Sequence, residues 1–407
     1  MQLRLQKFTF MKPCYIIDAV RTPIGRYGGK LSTIRPDDLL TLVIKALVQR
    51  NASIDVNMIE DVIAGAANQA GEDNRDVARM AALLAGLPIT VGGNTVNRLC
   101  ASGLQSIMDA SRAIMCGEGM LYIAGGVESM TRAPFVTAKS DGAWSRKAET
   151  YDTTIGWRFT NKKLAEMYHP FAMGETAENV AKQWNIGRIE QDEFAYHSQQ
   201  KYAQALASGK WSNEIVGVEI TENKEAVIFK QDEHPRLTSI EKLAGLKPAF
   251  AKDGTVTAGN SSGINDGAAA VLLASEEAVK LFNLQPLARV VSMGVAGVDP
   301  SIMGIGPVPA SKKAIQRAGI TANNLDLIEL NEAFASQSIA CARDLELDMT
   351  KVNVNGGAIA LGHPLGCSGS RITTTLLHEL KKRNAKYGLA TMCVGVGQGA
   401  AIVYEGL

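Results

Sequence analysis

The order of elements in the first third of this 407-residue chain returns in its last third, and that repetition limits the fold more than any other feature. Glu60-Asp61-Val62-Ile63-Ala64-Gly65-Ala66 has the apolar density of a buried strand with a loop after it. Thr95-Val96-Asn97 predicts a second strand, running into Cys100-Ala101-Ser102-Gly103. Leu104, Ile107, Ala110 and Ile114 then recur at helical spacing, and the strand Leu121-Tyr122-Ile123-Ala124 ends in Gly125-Gly126. The later stretch repeats this succession. Leu325 to Leu330 predicts a strand, and Val352-Asn353-Val354 leads through a glycine-rich loop to Cys367-Ser368-Gly369. A helix follows through Ile372, Leu376 and Leu377, and the strand Leu389-Ala390-Thr391-Met392 gives way to Gly395-Val396-Gly397. A duplicated mixed αβ unit accounts for this order; chance likeness of two αβ segments is the alternative.

The middle of the chain, about residues 130–260, lacks this alternation and holds Trp144, Trp157, Trp184 and Trp211. One helix is predicted from Thr176 to Ala207, with Ala177, Val180, Ala181, Trp184 and Phe194 on its apolar face. The region reads as an insertion in the first repeat, lying over its surface, and structured insertions are often binding elements.

Basic and acidic residues nearly cancel, 42 against 41, so charge gives no reason to expect nucleic acid or an anionic membrane as partner. No apolar run is long enough to span a bilayer. Cys14, Cys100, Cys116, Cys341, Cys367 and Cys393 form no metal-binding spacing, so no metal is expected, and scattered cysteines read as reduced thiols in a cytoplasmic setting. Residues 1–10 make a poor signal peptide and are expected to be an extension outside the fold or an upstream start, with mitochondrial targeting as the alternative. The ending Glu405-Gly406-Leu407 is not a peroxisomal address.

Four short stretches carry chemistry. Cys100 sits where a strand gives way to a helix, and the unpaired N–H groups of a first helical turn lower a thiol's pKa. Alone, such a cysteine is more often a small buried hydrophobe. Asn355-Gly356-Gly357 to Gly362-His363-Pro364 frames one histidine in a glycine-rich loop, where a fixed ring of near-neutral pKa serves as a base. His169, His197, His234 and His378 lie in polar or helical surroundings, where a solvated or satisfied ring is the default. Met392-Cys393-Val394-Gly395-Val396-Gly397 ends a strand in glycines whose backbone N–H groups can approach a ligand as an oxyanion hole requires. The strand after it, Ala400 to Tyr404, rules out a dinucleotide fingerprint. Asn331, in Glu329-Leu330-Asn331-Glu332-Ala333-Phe334, follows a strand and alone would pass for a turn residue.

Taken together, Asn97-Arg98-Leu99-Cys100-Ala101-Ser102-Gly103, Asn331-Glu332-Ala333-Phe334, Gly362-His363-Pro364 and Cys393-x-Gly395-x-Gly397 resemble the signature set of the thiolase family, in its order and across nearly the whole chain. The resemblance implies an α/β fold of duplicated αβαβα layers with an inserted loop domain. It places an N-terminal domain at residues 11–285, with the loop domain at about 133–260, and a C-terminal domain at 286–407. It implies a homodimer or homotetramer acting on acyl-CoA, with coenzyme A as co-substrate and no permanently bound cofactor. Cys100 would be the acylated nucleophile, His363 its activating base, and Cys393 the acid/base at the α-carbon. Asn331 would hold a water that forms one oxyanion hole with His363, and the N–H groups of Cys100 and Gly395 would form the other. Two half-reactions through one acyl-cysteine give ping-pong kinetics. By the same resemblance, Ser262 and Ala258 fall in the pantetheine loop, Arg236 at the nucleotide end of CoA, and Met173 and Met303 along the acyl pocket. Ala101 stands where glycine is usual, Val354 where proline is usual, and Cys367 is a further departure.

Several stretches are similar to the 3-oxoadipyl-CoA thiolases of aromatic degradation: Arg21 to Gly29, Asn68 to Arg75, Asp152 to Phe159, and Asp232 to Arg236. Ala172-Met173-Gly174 replaces the His-Met-Gly usual in acetoacetyl-CoA-specific members. The expected reaction is thiolysis of 3-oxoadipyl-CoA to succinyl-CoA and acetyl-CoA, with Arg158 as a candidate cation for the far carboxylate. The competing readings are an acetoacetyl-CoA or broad 3-ketoacyl-CoA thiolase, and a non-catalytic thiolase-like protein that binds acyl chains or lipids. A decarboxylating ketosynthase would carry histidine or asparagine where Cys393 stands.

Overall fold

The computed structural model describes residues 11–140 and 142–407, so the extension expected at residues 1–10 lies outside the described residues. One mixed sheet organises the chain. Its main strands are β1 (Cys14–Arg21), β2 (Ile59–Gly65), β3 (Gly92–Val96), β4 (Leu121–Ser129), β5 (Asn265–Ser275), β6 (Ala288–Gly297), β7 (Leu327–Leu330), β8 (Tyr387–Val394) and β9 (Gln398–Gly406). In space they run β7-β8-β9-β6-β1-β5-β4-β2-β3. From the seam between β1 and β6, one arm reads β1-β5-β4-β2-β3 and the other β6-β9-β8-β7. Beyond β7, Val352 bridges to Ile328 in the place a fifth strand would take. Pairing is antiparallel near the seam and parallel at the outer end of both arms. The arms thus share order and direction, which is the duplication expected from the sequence. The seam itself is short, pairing Tyr15 with Arg289 and Ile16 with Ala288.

Six helices matter for the site: α1 (Pro36–Arg50), α2 (Ser102–Cys116), α3 (Met173–Gln183), α4 (Arg188–Ala207), α5 (Pro307–Ala318) and α6 (Leu365–Arg383). α2 turns Leu104, Ile107, Ala110 and Ile114 inward and closes at Gly117, whose φ of 84° suits a residue without a Cβ. These side chains meet Ile372, Leu376 and Leu380 of α6 in a core shared with Val271 and Leu273 of β5 and Ile402 and Tyr404 of β9. α1 covers the far face of one arm through Leu40, Val43 and Leu47, and α5 covers the other through Ala310, Ala314 and Ile315. Five layers result, helix and sheet alternating, with α2 and α6 at the centre.

Two sequence expectations need correction. β4 does not stop at Gly125-Gly126 but continues to Ser129. A Cβ on Gly126 would collide with the carbonyl of Gly366, and one on Gly125 with that of Ala269, so these glycines permit close backbone approach rather than a turn. The single helix expected from Thr176 to Ala207 is two, α3 and α4. Asn185 adopts a φ of 53° and Gly187 is extended, an Asn and Gly ending of the kind that stops helices.

The inserted region also does more than cover the first arm. Trp184 donates to Asp344, Ser198 to Glu332, and Lys201 to the Val352 carbonyl, all in the second half. Arg21, at the end of β1, ties the insertion to the first half. It is fully buried, donates to both oxygens of Asp232 at 2.6 and 3.0 Å and to Glu214, and lies 5.2 Å above the Trp211 ring. Removing one partner from a buried ion pair strands the other charge, at a cost of about 3–5 kcal/mol. Asp232→Ala is therefore expected to lower unfolding free energy by about that amount in urea titration. A loss below 1 kcal/mol would mean that solvent reaches Arg21.

Candidate active site

Cys100 stands on a tight elbow between β3 and α2. Leu99, just before it, has a φ of 47°, a left-handed conformation that costs a branched side chain energy and that the surroundings must enforce. They do so with hydrogen bonds. Asn97 Oδ1 accepts from Leu99 N, Ser102 Oγ accepts from Arg98 N, and Ser102 donates to the Leu99 carbonyl at 2.6 Å. The backbone N–H groups of Cys100 and of Gly395 lie near enough to the Cys100 sulfur to pull its pKa down.

The thiol is not acidified as its position at a helix start suggested. Burial pushes it up to about 11, more than the two N–H groups pull it down, and the charge of Glu128 adds to the rise. Desolvation exceeds the gain from the helix end. Cys100 is therefore held as a thiol at neutral pH.

His363 reaches the same place from the other half. It is 5% exposed, and its Nδ1 meets Ser368 Oγ at 2.6 Å. Its backbone N–H donates to Asn265 Oδ1, which anchors the loop to β5. Nε2 is buried with no partner in the chain. The ring is not poised near neutrality as expected. Burial, and then the nearby cation Arg371, push it down to about 3, so the imidazole is neutral. Cys100 and His363 head the two central helices, which touch where a Cβ on Gly103 would come within 2.7 Å of the Gly366 carbonyl oxygen.

Asn331 and Cys393 arrive side by side from the parallel strands β7 and β8. Asn331 N donates to the Thr391 carbonyl at 3.0 Å, and both polar atoms of the Asn331 side chain are buried without a partner. Cys393 is 1% exposed. Its thiol is pushed well up by burial and then by the nearby sulfurs of Cys100 and Cys341. The structure therefore gathers Cys100, Cys393 and the Gly395 N–H around one point, with unpartnered polar atoms of His363 and Asn331 on the loops beside it. Gly395 lies against Leu99 and Met173, where a Cβ would come within 3.2 and 3.8 Å.

The outer candidates spread from there. Met173 and Met303 join Cys393, Phe334 and Val256 in one apolar cluster. Ser262 N donates to the Ala333 carbonyl, which fixes the 258–264 loop against the Asn331 box. Ala258 and Arg236 are exposed, and the Arg236 N–H donates to Gln199. Arg158 is half-buried and spends one N–H on Asn68 Oδ1 at 3.1 Å. His234, read from sequence as a solvated or satisfied ring, is buried, and its Nε2 has no partner. Its ring packs against Gly263, and burial pushes it down to about 4. Its polar neighbours in sequence hid that glycine, which lies in a distant loop. Sequence reasoning also missed Ser368 and Asn265, which orient His363; only the short distance from His363 to Ser368 hinted at the first. Among the described residues no three His, Cys, Asp or Glu side chains cluster as metal ligands, and no helix is long and apolar enough to cross a membrane.

Comparison with known proteins covers the same span. Residues 14–277 match the family model of the thiolase N-terminal domain, and residues 284–406 that of the thiolase C-terminal domain. The chain is 55% identical over 399 residues to a beta-ketoadipyl-CoA thiolase of Acinetobacter baylyi, covering 97% of this chain and 100% of that one. It is 54% identical over 400 residues to the 3-oxoadipyl-CoA/3-oxo-5,6-dehydrosuberyl-CoA thiolase of Escherichia coli K12, again covering 97% and 100%. The crystal structure of the Bacillus anthracis acetyl-CoA acetyltransferase superimposes with a TM-score of 0.92 at 45% identity, over 98% of this chain and 99% of that chain.

Proposed function

Because the chain belongs to the thiolase family, we infer that it cleaves 3-oxoadipyl-CoA with coenzyme A to give succinyl-CoA and acetyl-CoA. One observation carries the chemistry: backbone N–H groups from opposite halves of the chain, those of Cys100 and Gly395, converge on one sulfur. An acyl group on that sulfur would place its oxygen between two donors, each typically worth a few kcal/mol at an oxyanion.

The steps follow from the pairings. His363 Nε2 takes the Cys100 proton as the sulfur attacks the 3-oxo carbon. The C2–C3 bond breaks and leaves the acetyl-CoA enolate, whose oxygen is met by His363 and by a water on Asn331. The Cys393 thiol gives its proton to C2. Coenzyme A then enters along Ser262 and Ala258, with Arg236 toward its phosphates. Its thiol proton restores the Cys393 thiol, its sulfur takes the succinyl group, and the departing Cys100 sulfur recovers its proton from His363. Ser368 keeps the imidazole oriented throughout. A neutral thiol beside a neutral imidazole suits this order, since no charge separates until substrate arrives. We place the protein in a reducing, cytoplasmic compartment as a homodimer or homotetramer.

The dicarboxylic substrate is supported by the relatives' activity, by Ala172 ahead of Met173, and by Arg158, whose guanidinium is tethered through Asn68 to the loop beside Cys100. The test is the CoA-dependent loss of 3-oxoadipyl-CoA beside acetoacetyl-CoA. Faster turnover of acetoacetyl-CoA would overturn the assignment. Arg158→Ala should cut the preference for the dicarboxylic substrate by roughly 10- to 100-fold, the worth of one charge-assisted hydrogen bond. An unchanged ratio of kcat/KM removes Arg158 from the acyl site.

A further inference from the structure

A buried carboxylate lies beneath the two reacting turns, and the steps above do not use it. Glu128, near the end of β4, is 4% exposed, and among the described residues no Lys, Arg or His forms an ion pair with it. Three backbone N–H groups point at it instead. Oε2 accepts from Ala67 at 2.9 Å and from Gly366 at 2.7 Å, and Oε1 accepts from Asn68 at 3.2 Å.

These donors belong to the supports of the two reacting groups. The Ala67 carbonyl accepts from Asn97 Nδ2, and Asn97 Oδ1 accepts from Leu99 N, next to Cys100. Gly366 opens α6 between His363 and Ser368, the pair joined through Nδ1. Glycine makes the crossing possible. A Cβ on Gly65 would collide with the Ser102 backbone, and one on Gly126 with the Gly366 carbonyl. Where the two turns pack this closely, a carboxylate that grips the supports of both fixes their spacing, and a misplacement of about 1 Å between reacting groups can cost 100-fold in rate.

We propose that Glu128 is a positioning residue for acyl transfer, its carboxylate holding the Cys100 turn and the His363 turn in register. The proposal rests on the reading of Cys100 as acyl acceptor. Burial pushes the Glu128 carboxyl up to about 7, against three N–H donors that lower it and the charge of Asp73 that raises it further. The titratable groups around it are Asp73 on the Ala67 loop, Cys100 at the head of α2, and Cys367 at the head of α6. Beyond Asp73, the small cavity beside it is lined by Glu72 and Arg132, which pair with each other. Protonation puts an O–H where an N–H must donate, so the grip loosens as pH falls through about 7.

The stability sign is opposite. A carboxyl whose folded pKa lies above its unfolded value destabilises the fold when ionised, increasingly from the unfolded pKa up through about 7. Glu128→Gln at pH 8 should therefore keep its Tm while losing about tenfold in kcat, with KM for coenzyme A little changed. The wild type should show an acid limb in kcat near pH 7 that Glu128→Gln lacks, and Glu128→Asp should restore part of the rate. Two results would overturn the proposal: a wild type with no acid limb between pH 6 and 8, or a folded Glu128→Gln with full kcat. The wild-type profile decides even if the glutamine variant does not fold. Acylation of Cys100 by acetyl-CoA, read by intact mass, separates the two readings. A wild type that never acylates sinks the nucleophile assignment, and one that acylates without the pH limb sinks this proposal.

Discussion

Cys100→Ala should abolish thiolysis, with a loss of about 10^4- to 10^6-fold, because no other group can take its part. Cys14, Cys341 and Cys367 are buried, and Cys116 is exposed at the far end of α2. The Cys100 sulfur has the N–H groups of its own residue and of Gly395 near it, and the Gly395 N–H acts on no other described cysteine whose pKa shift is resolved. Intact mass after incubation with acetyl-CoA should show one acetyl adduct on the wild type and none on the variant. Peptide mapping should place it on residue 100. An adduct on Cys393, or residual turnover within 100-fold of wild type, would reverse the roles assigned to the two sulfurs.

Cys393→Ala should separate the half-reactions. The variant keeps the Cys100 elbow, His363 and the Gly395 N–H, so acetyl transfer onto Cys100 should survive. Proton transfer at the α-carbon should not, and general acid–base groups typically contribute about 10^2- to 10^4-fold. The wild-type thiol is pushed well above its ordinary value by burial and by Cys100, so it carries its proton at neutral pH, as a donor to an enolate must. Exchange of deuterium from solvent into the methyl group of acetyl-CoA, followed by NMR, reports this step alone. Exchange at the wild-type rate in the variant would assign the proton to another group.

The parts legible in the sequence were those with a local signal. Leu104, Ile107, Ala110 and Ile114 carry helical spacing in their own letters, and the return of the same order after residue 325 exposed the duplication. Cys100, His363 and Cys393 stand out because glycines frame them. The electrostatics were not legible. A helix start at Cys100 suggests an acidic thiol, and only its packing shows that burial outweighs that effect. Glu128 was invisible because its ligand Gly366 is 238 residues away, and Asn265 because it reaches His363 across 98. The break between α3 and α4 was encoded in Asn185 and Gly187, but the apolar pattern running on either side concealed it.

The place of β9 in the sheet bears on how the protein is made. This strand is translated after every other strand in the sheet, yet it lies inside its arm, bonded to β6 on one side and β8 on the other. A nascent chain halted before residue 398 thus leaves two strand edges open, the kind of surface that invites aggregation and chaperone capture. On the ribosome, the first half can settle its own core long before the second arm closes. The last nine residues to join the sheet then act as a zip.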